Sequence, residues 1–151
     1  MEKTTTEENL RVTIDLFWET VPMVWNLVRS HLRTTAAEQF DTSVEQFHVL
    51  RHIRRGAHSV SELAVVGRIS RPAISQAVDA LVNKGHVSRT QSADDRRFVR
   101  LELTPDGAEL LEAIFGQARQ WMKIKLSSLK ADELQAVMSG LTLLREALCR
   151  E

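Results

Sequence analysis

Residues 61–103 constrain the fold of this chain most, because helical and extended patterns follow one another there in a fixed order. A short helical pattern covers 61–66 and reaches a turn at Gly67. Ser70 is a typical N-cap residue, and Pro72 suits the first turn of the helix that Ser70 opens. Two short helices joined by such a tight turn predict a helix-turn-helix unit.

A hairpin is predicted directly after this unit. Gly85 ends the second helix after Asn83, and two β-rich runs then cover 86–91 and 98–103. The charged segment 92–97 between them is the expected tip. Proteins with a hairpin behind a helix-turn-helix place one helix in the major groove of DNA and a loop beside it. The order of elements therefore predicts a DNA-binding lobe.

The N-terminal part of the chain, about 8–38, carries helical periodicity. Its apolar residues recur at helical spacing: Leu10, Ile14, Phe17, Val21, Val24, Leu27, Val28 and Leu32. Pro22 lies inside this pattern and lacks an amide hydrogen. We expect it to end a first short helix near Thr20 or to kink one continuous helix.

A further helix is predicted between this part and the lobe. It begins at Thr42 or Ser43 and ends at Arg54 or Arg55. Val60 then interrupts the helical pattern, and it can form no more than a one-bridge strand beside the hairpin. The N-cap of the next helix is either Ser61 or Ser59, and Ser59 would form a capping box with Glu62.

The C-terminal part opens with a clear helix start. Thr104 is the expected N-cap, with Pro105 and Asp106 in the first turn. A break at 127–128 then separates this helix from a last one over about 131–149.

The apolar faces of the terminal helices are wider than a small lobe can cover. We therefore predict one domain, 1–151, that is mainly α with a small β-hairpin wing. It comprises a winged helix-turn-helix lobe over 43–103 and dimerisation helices over 8–40 and 104–150. The alternative is that these helices fold back on their own chain.

Charge is divided unevenly along the chain. The net formal charge is zero, yet residues 51–100 hold ten Lys and Arg against four Asp and Glu. A basic middle between acidic flanks suits a protein of which one part approaches phosphates. The sequence shows no signal-peptide pattern, no long apolar run and one cysteine, Cys149. We therefore expect a cytoplasmic protein without a membrane span, an internal disulfide or a cysteine-based metal cluster.

The second helix of the unit has a polar outer face. Ile74, Ala77, Val78 and Leu81 share the side that must point at the core. The candidate DNA-binding residues elsewhere on this helix and at its ends are Arg71, Pro72, Ser75, Gln76, Asp79, Asn83 and Lys84. Arginine reads guanine or holds phosphate, glutamine pairs with adenine, and serine does either. A merely solvated helix face would show the same pattern.

The predicted hairpin tip carries the remaining candidate DNA-binding residues, Asp95, Arg96 and Arg97. Arginine at the end of a narrow loop can enter the minor groove, where the potential is most negative. A carboxylate beside it can hold the guanidinium through a charge-assisted pair. The alternative is a charged tip that only keeps the hairpin soluble.

Several segments, taken in order, resemble the MarR family of bacterial transcriptional regulators. These segments are Val44–Leu50, Ser61–Ala64, Ser70–Ser75, Leu81–Val87, Asp95–Arg97 and Leu103–Gly107. The resemblance extends over about 10–148. It implies an obligate homodimer on a pseudo-palindromic operator, with Arg97 in the minor groove and Asp95 holding it, and we expect a repressor. Pro22 departs from the family's pattern.

The resemblance also implies a small effector. Many such regulators are released from DNA by a small, often aromatic, ligand held between the dimer helices and the DNA-binding lobe. The candidate ligand-binding residues are Trp18, Trp25, Phe47, His48, His52 and Trp121. Each of them suits the core or an interface as well. We predict no cofactor.

Other inputs and functions remain as alternatives. His48 and His52 stand four apart, as zinc ligands can, but the sequence offers them no third ligand at a recognisable spacing. Redox-sensing relatives use an N-terminal cysteine, whereas Cys149 is near the C-terminus. The sequence has no glycine-rich phosphate loop, nucleophile elbow or metal triad, so we predict no enzyme. A winged lobe that binds only proteins is the last alternative, and the salt dependence of DNA binding distinguishes it.

Overall fold

A computed structural model describes residues 2–91 and 99–149, with side chains from residue 6 onward. Within these residues the elements are α1 (Glu2–Phe40), α2 (Val44–Arg54), α3 (Val60–Gly67), α4 (Arg71–Asn83), β1 (Val87–Gln91), β2 (Val99–Leu103), α5 (Pro105–Leu126) and α6 (Ala131–Leu148). Among them, no helix combines the length and the apolar character needed to cross a membrane. The chain divides into two compact units, Met1–Phe115 and Gly116–Glu151.

The first helix, α1, is one continuous helix of 39 residues. Pro22 lies inside it, so the break expected near Thr20 does not occur. Proline cannot donate a hydrogen bond to the carbonyl of Trp18, one turn earlier. Leu32 and Ala36 near the end of α1 are buried, whereas large apolar residues earlier in the helix are exposed. Much of the apolar surface of α1 is therefore not covered by its own chain.

Helices α2, α3 and α4 pack against one another, and the hairpin packs against α4 and α2. The buried apolar residues of this first unit include Leu32, Phe47, Leu50, Ile53, Leu63, Ile74, Ala77, Val78, Leu81, Val87, Leu101, Leu111 and Ile114. The inner face predicted for α4 is thereby confirmed. Burying one large aliphatic side chain contributes about 1.5–3 kcal/mol, so this core holds the lobe together.

Local signals set the ends of the helices in the lobe. Ser43 begins α2 in a capping box with Gln46. Gly56 after α2 and Gly85 after α4 have positive φ angles of 100° and 78°. In each case the next residue donates its amide hydrogen to the carbonyl five positions earlier, which is a Schellman ending. Arg68 ends α3 in the same way, with a φ of 51° that is unusual for a residue with a side chain.

The start of α3 follows the second of the two predicted N-caps. Ser59 is the N-cap, and its Oγ accepts the amide hydrogen of Glu62 at 3.2 Å. Val60 is thus the first residue of α3 and not a strand, so that prediction was wrong. The backbone link to the hairpin comes from His58, whose carbonyl accepts the amide hydrogen of Leu101 at 2.8 Å.

Strands β1 and β2 form an antiparallel hairpin. Val87 lies opposite Leu103, and Gln91 lies opposite Val99. Val87 and Leu101 are buried, because this face of the hairpin packs on the helices. The predicted wing is therefore present as far as its strands are described.

A compact junction joins the end of α4 to the start of α5. Thr104 is the N-cap of α5, since its Oγ1 accepts the amide hydrogen of Gly107 at 3.0 Å. The same hydroxyl donates to the carbonyl of Gly85 at 2.6 Å, and the Thr104 amide donates to the carbonyl of His86 at 3.1 Å. A Cβ on Gly107 would lie 1.9 Å from the His86 carbonyl oxygen. Only glycine fits there without a backbone shift.

The second unit contains the rest of α5 and the last helix, α6. The carboxylate of Glu133 accepts the amide hydrogen of Lys130 at 2.8 Å and so stabilises the start of α6. None of the 18 residues of α6 is buried, all of them being within the described part. Met138 and Leu141 are 61% and 64% exposed, so α6 also carries apolar surface that its own chain leaves open.

Replacing Gly107 with Ala is expected to lower the free energy of unfolding by about 1–3 kcal/mol, because the new methyl group must displace the backbone at His86. Gly116→Ala is the matched control in the same helix. A Cβ at Gly116 meets no atom within 4 Å, and alanine favours a helix over glycine by up to about 1 kcal/mol. Urea denaturation measures both changes. Equal stability of Gly107→Ala and the parent protein would contradict the close packing.

Candidate functional site

The first two turns of α4 present a polar surface, because the apolar residues of this helix are buried on its other side. Ser70 caps the helix, and its Oγ accepts the amide hydrogen of Ala73 at 3.4 Å. Arg71, Pro72 and Gln76 are exposed and Ser75 is half-buried. A guanidinium, a hydroxyl and an amide group are therefore displayed together at the N-terminal end of α4.

The guanidinium of Arg71 is held in place by α3. Its Nη2 donates to the Oγ of Ser61 at 2.7 Å, which uses one of several N–H donors of the group. An open cleft of about 380 Å³ lies beside this end of the helix. It is lined by Ser43, Glu45, Gln46, Ala73, Gln76 and Ala77. The positive end of the α4 helix dipole adds to the charge of Arg71, so this end of α4 attracts anions.

The other predicted residues of α4 lie further along the helix. Asp79 forms an ion pair with Arg89 of β1, with 2.5 Å between Oδ1 and Nη2. Lys84 donates to the carboxylate of Asp41 at 2.9 Å and to its carbonyl at 2.7 Å. Asn83 is exposed in the last turn. Since α4 is about 20 Å long, the structure does not bring Lys84 and Asn83 together with the polar groups at its N-terminal end.

The predicted tip residues Asp95, Arg96 and Arg97 lie outside the described residues, and their placement stays a prediction. The strands on either side of the tip are described. Thr90 and Arg100, which are opposite each other in the register, are both exposed. The described outer part of the hairpin therefore has polar and cationic side chains at its surface.

His58 is a further polar residue that the sequence patterns did not indicate. Its Nδ1 lies 3.2 Å from the carbonyl oxygen of Leu101, and its Nε2 lies 3.3 Å from Nη2 of Arg100. Its amide donates to the carboxylate of Glu62 at 2.7 Å. With Nδ1 donating and Nε2 accepting, this side chain ties β2 to the start of α3. In the sequence, the only indication of this role is the position of His58 directly before the N-cap Ser59.

Five basic residues form a second polar region, here called the basic α2 cluster. They are Arg29 of α1, then His48, Arg51 and His52 of α2, and Arg55 directly after α2. The two imidazole rings are stacked, with centroids 6.0 Å apart and planes 13° apart. Within residues 2–91 and 99–149, no three His, Cys, Asp or Glu residues are grouped so as to hold a metal ion.

The charge of the basic α2 cluster is poorly compensated. Burial, followed by the charge of Arg51, lowers the pKa of both His48 and His52 below the ordinary value of 6.5. Glu45 is the acidic group that opposes this shift at His48. Burial and the nearby Arg55 lower the pKa of Arg51 as well. The histidines are therefore neutral near pH 7, while Arg51 stays charged because its ordinary pKa is far higher.

An unsatisfied donor stands in this cluster. The Nε of Arg51 is buried and has no hydrogen-bond partner in the described part of the chain. Its Nη2 lies 3.4 Å from Nδ1 of His48 and 3.5 Å from Nε2 of His52, both at the limit of a hydrogen bond. Buried N–H groups are normally paired, so the Nε of Arg51 is suited to donate a hydrogen bond to an acceptor atom of a bound ligand.

The aromatic residues predicted around a ligand are only partly gathered. Phe47 is buried on α2 beside His48 and His52, and its ring packs against that of Phe115 with centroids 5.8 Å apart. Trp18 and Trp25 are 70% and 50% exposed on α1, and Trp121 belongs to the second compact unit. The structure thus groups the two histidines with Phe47.

Known proteins share both the sequence and the fold. The model of the MarR family matches residues 40–97. The multiple antibiotic resistance protein MarR of Salmonella typhimurium is 31% identical over 132 residues, which are 83% of this chain and 92% of that protein. The uncharacterized HTH-type transcriptional regulator YhbI of Bacillus subtilis is 27% identical over 154 residues, which span 97% of each protein.

Solved structures extend the comparison to the fold. A transcriptional regulator from Thermotoga maritima has a TM-score of 0.80 at 21% identity and covers 89% of this chain and 94% of its own. Wild-type MarR from E. coli in its apo form has a TM-score of 0.68 at 29% identity, over 86% and 94% of the two chains. An S. aureus MepR mutant bound to an oligodeoxyribonucleotide has a TM-score of 0.67 at 21% identity, over 87% and 97%. The predicted mainly α fold with a two-stranded wing is confirmed.

The free energy of unfolding is expected to fall as the pH is lowered from about 7.5 to about 5. Because the folded chain holds the pKa of His48 and His52 below 6.5, the unfolded chain binds protons first as the pH falls through 6.5. Replacing both histidines with Gln should flatten this dependence. His31→Gln is the control, since it removes a histidine from α1 and leaves the basic α2 cluster intact. Urea denaturation at several pH values gives the slope, and an unchanged slope in the double variant would contradict the assignment.

Proposed function

Because this chain belongs to the MarR family, it is a DNA-binding transcriptional regulator, and we propose that it is a homodimeric repressor of a pseudo-palindromic operator that a small ligand releases. Repression needs only occupancy of the operator, which such a dimer supplies without a further partner. A regulator of this kind acts where the chromosome lies, so the proposal includes the cytoplasm.

The DNA-binding part of this proposal rests on three polar side chains that lie together at the start of α4, those of Arg71, Ser75 and Gln76. An α-helix with its side chains is about 10–12 Å wide, and the major groove of B-DNA is about 12 Å wide. The three side chains match the donors and acceptors of base edges: Arg for guanine, Gln for adenine and Ser for either. The bond from Arg71 to Ser61 holds one of them in position before DNA arrives. Such preorganisation lowers the entropy lost on binding.

Charge supports the same surface. Residues 51–100, which include α4, β1 and the first two residues of β2, hold ten Lys and Arg against four Asp and Glu. Basic side chains near phosphates release condensed counterions, so binding to DNA must weaken steeply as salt rises. A winged lobe that binds only proteins has no need for this local charge.

Exposed apolar surface supports the homodimer. On α1, Trp18, Met23 and Leu27 are 70%, 63% and 57% exposed, and on α6 Leu141 is 64% exposed. A large exposed apolar patch on a folded protein marks an interface. A two-fold dimer presents two copies of α4, which read two half-sites about 34 Å apart and so require a pseudo-palindrome.

The basic α2 cluster supports a small ligand and indicates its charge. Arg51 carries a buried donor without a partner, and His48 and His52 add neutral ring nitrogens beside it. A carboxylate would satisfy the free N–H and offset the positive charge. We infer that the releasing ligand is a small aromatic anion.

Replacing Ser75 or Gln76 with Ala is expected to weaken operator binding by about 1–3 kcal/mol for each lost base contact, with little change on random DNA. Gln39→Ala is the matched control, because it removes an exposed amide from the end of α1. Titrations of both duplexes at several salt concentrations, with sedimentation of the complex, measure affinity, salt slope and the number of chains per duplex. A salt-independent complex, or one chain per operator, would contradict the proposal.

Benzoate is expected to weaken operator binding about tenfold, whereas the neutral benzyl alcohol leaves it unchanged. Arg51→Gln should lose the response to benzoate and keep operator binding without it. Arg54→Gln is the control on the same helix, since Arg54 pairs with Glu112 and its guanidinium lies 4.9 Å from the ring centroid of Phe115. Equal effects of the acid and the alcohol, or a full response in Arg51→Gln, would contradict an anionic ligand.

A further inference from the structure

We propose that Asp79 and Arg89 are positioning residues: their ion pair sets the angle between α4 and the hairpin, and neither residue reads a base. This inference rests on the proposed operator binding. It assigns Asp79, which the sequence placed among the DNA-contacting residues, to a contact within the protein.

Arg89 is placed for this contact by the register of the hairpin. It lies opposite Leu101 and two residues after Val87, so all three side chains share one face of the two strands. Val87 and Leu101 are 2% and 1% exposed against the helices. Arg89 continues the same face beyond the buried part, and its Nη2 reaches Oδ1 of Asp79 at 2.5 Å. The pair therefore extends the contact between β1 and α4 past the apolar core.

The other strand is anchored separately. The Leu101 amide donates to the His58 carbonyl at 2.8 Å, and His58 Nδ1 lies 3.2 Å from the Leu101 carbonyl oxygen. This double contact holds β2 to the segment before α3. Thr104 holds the base of the hairpin and His58 holds β2, but neither contact reaches the outer part of β1. Asp79 and Arg89 hold that part of β1, and this contact is attached to α4 itself.

The charge and exposure of Asp79 argue for positioning. Its side chain is 54% exposed, and that of Arg89 is 39% exposed, so solvent screens the pair and it contributes little to the free energy of unfolding. A carboxylate on a helix that approaches phosphates also repels them. If Asp79 had no other role, its removal would tighten binding to every DNA. The ion pair with Arg89 explains a negative charge at this place.

The test is a double-mutant cycle of Asp79→Asn and Arg89→Gln, measured by titration of operator and random duplexes at matched salt. We expect Asp79→Asn to weaken operator binding about tenfold although it removes a negative charge, and to leave random DNA bound equally or more tightly. The double variant should bind the operator no more weakly than Arg89→Gln. The exchange of charges, Asp79→Arg with Arg89→Asp, should regain part of the lost affinity.

Glu102→Gln is the matched control, because Glu102 pairs with Arg100 on its own strand at 2.9 Å and does not link the hairpin to α4. It should leave operator affinity within about twofold of the parent. Thermal denaturation should give similar midpoints for all single variants, which separates positioning from loss of the fold. Hydroxyl-radical footprints should show the protection flanking the α4 contacts reduced in Asp79→Asn, with the α4 contacts kept.

Tighter or equal operator binding by Asp79→Asn would overturn the proposal, as would strictly additive losses in the cycle. Neither result affects the proposed function, because the parent protein would still bind its operator. Failure of the parent to prefer any operator over random DNA would instead overturn the proposed function.

Discussion

Water is excluded from Ile74, Val78 and Leu81 where α4 packs on its neighbours, and this burial determines which side of the helix remains outside. A helix that buries one stripe must expose the opposite one, so Gln76 becomes available for contact. Because Ser70 is the N-cap, Arg71 is the first residue of α4, and from there its guanidinium reaches Ser61 of α3. The binding surface is thus a geometric result of packing.

The hairpin depends on the same helix through contacts that are distant in sequence. Its buried strand residues complete the core, and its outer residues are linked to α4 through Asp79 and to the α3 start through His58. At the base of the hairpin, Thr104 and Gly107 close the chain against the end of α4. Three different interactions therefore hold the hairpin to the helices. They are the ion pair of Asp79 with Arg89, the hydrogen bonds between His58 and Leu101, and the Thr104 cap of α5.

The elements that sequence patterns predicted correctly are those that local interactions decide. Ser43, Ser70 and Thr104 each cap a helix by accepting an amide hydrogen from three residues ahead, so a short segment contains the whole signal. Gly56 and Gly85 end helices for an equally local reason. Periodicity likewise identified the buried face of α4.

Predictions about individual side chains depended on partners that periodicity does not reveal. Lys84 contacts Asp41, 43 positions away, and Asp79 contacts Arg89 across a turn of the fold. The strand predicted at Val60 was wrong, because a β-branched side chain favours a strand but the Ser59 cap already starts a helix there. At Pro22 both outcomes fitted the local sequence, and the structure has the continuous helix. Contacts between residues distant in sequence decided Lys84 and Asp79, whereas a local helix cap decided Val60.

Arg68 ends α3 with the same backbone geometry that Gly56 and Gly85 give to the ends of α2 and α4. The conformational cost of this geometry falls mainly on the folded state at Arg68 and mainly on the unfolded state at the two glycines. Glycine at 56 and 85 adopts a positive φ without steric strain, but it gives the unfolded chain more conformations to lose on folding. Arg68 is strained in the folded chain, with a φ of 51°, and gives the unfolded chain fewer conformations. Replacing glycine with arginine at such a position therefore adds strain to the folded state and reduces the conformational entropy of the unfolded chain, and the reverse replacement does the opposite. The turn between α3 and α4 can keep a cation for this reason, since part of its strain is offset by the smaller entropy of the unfolded chain.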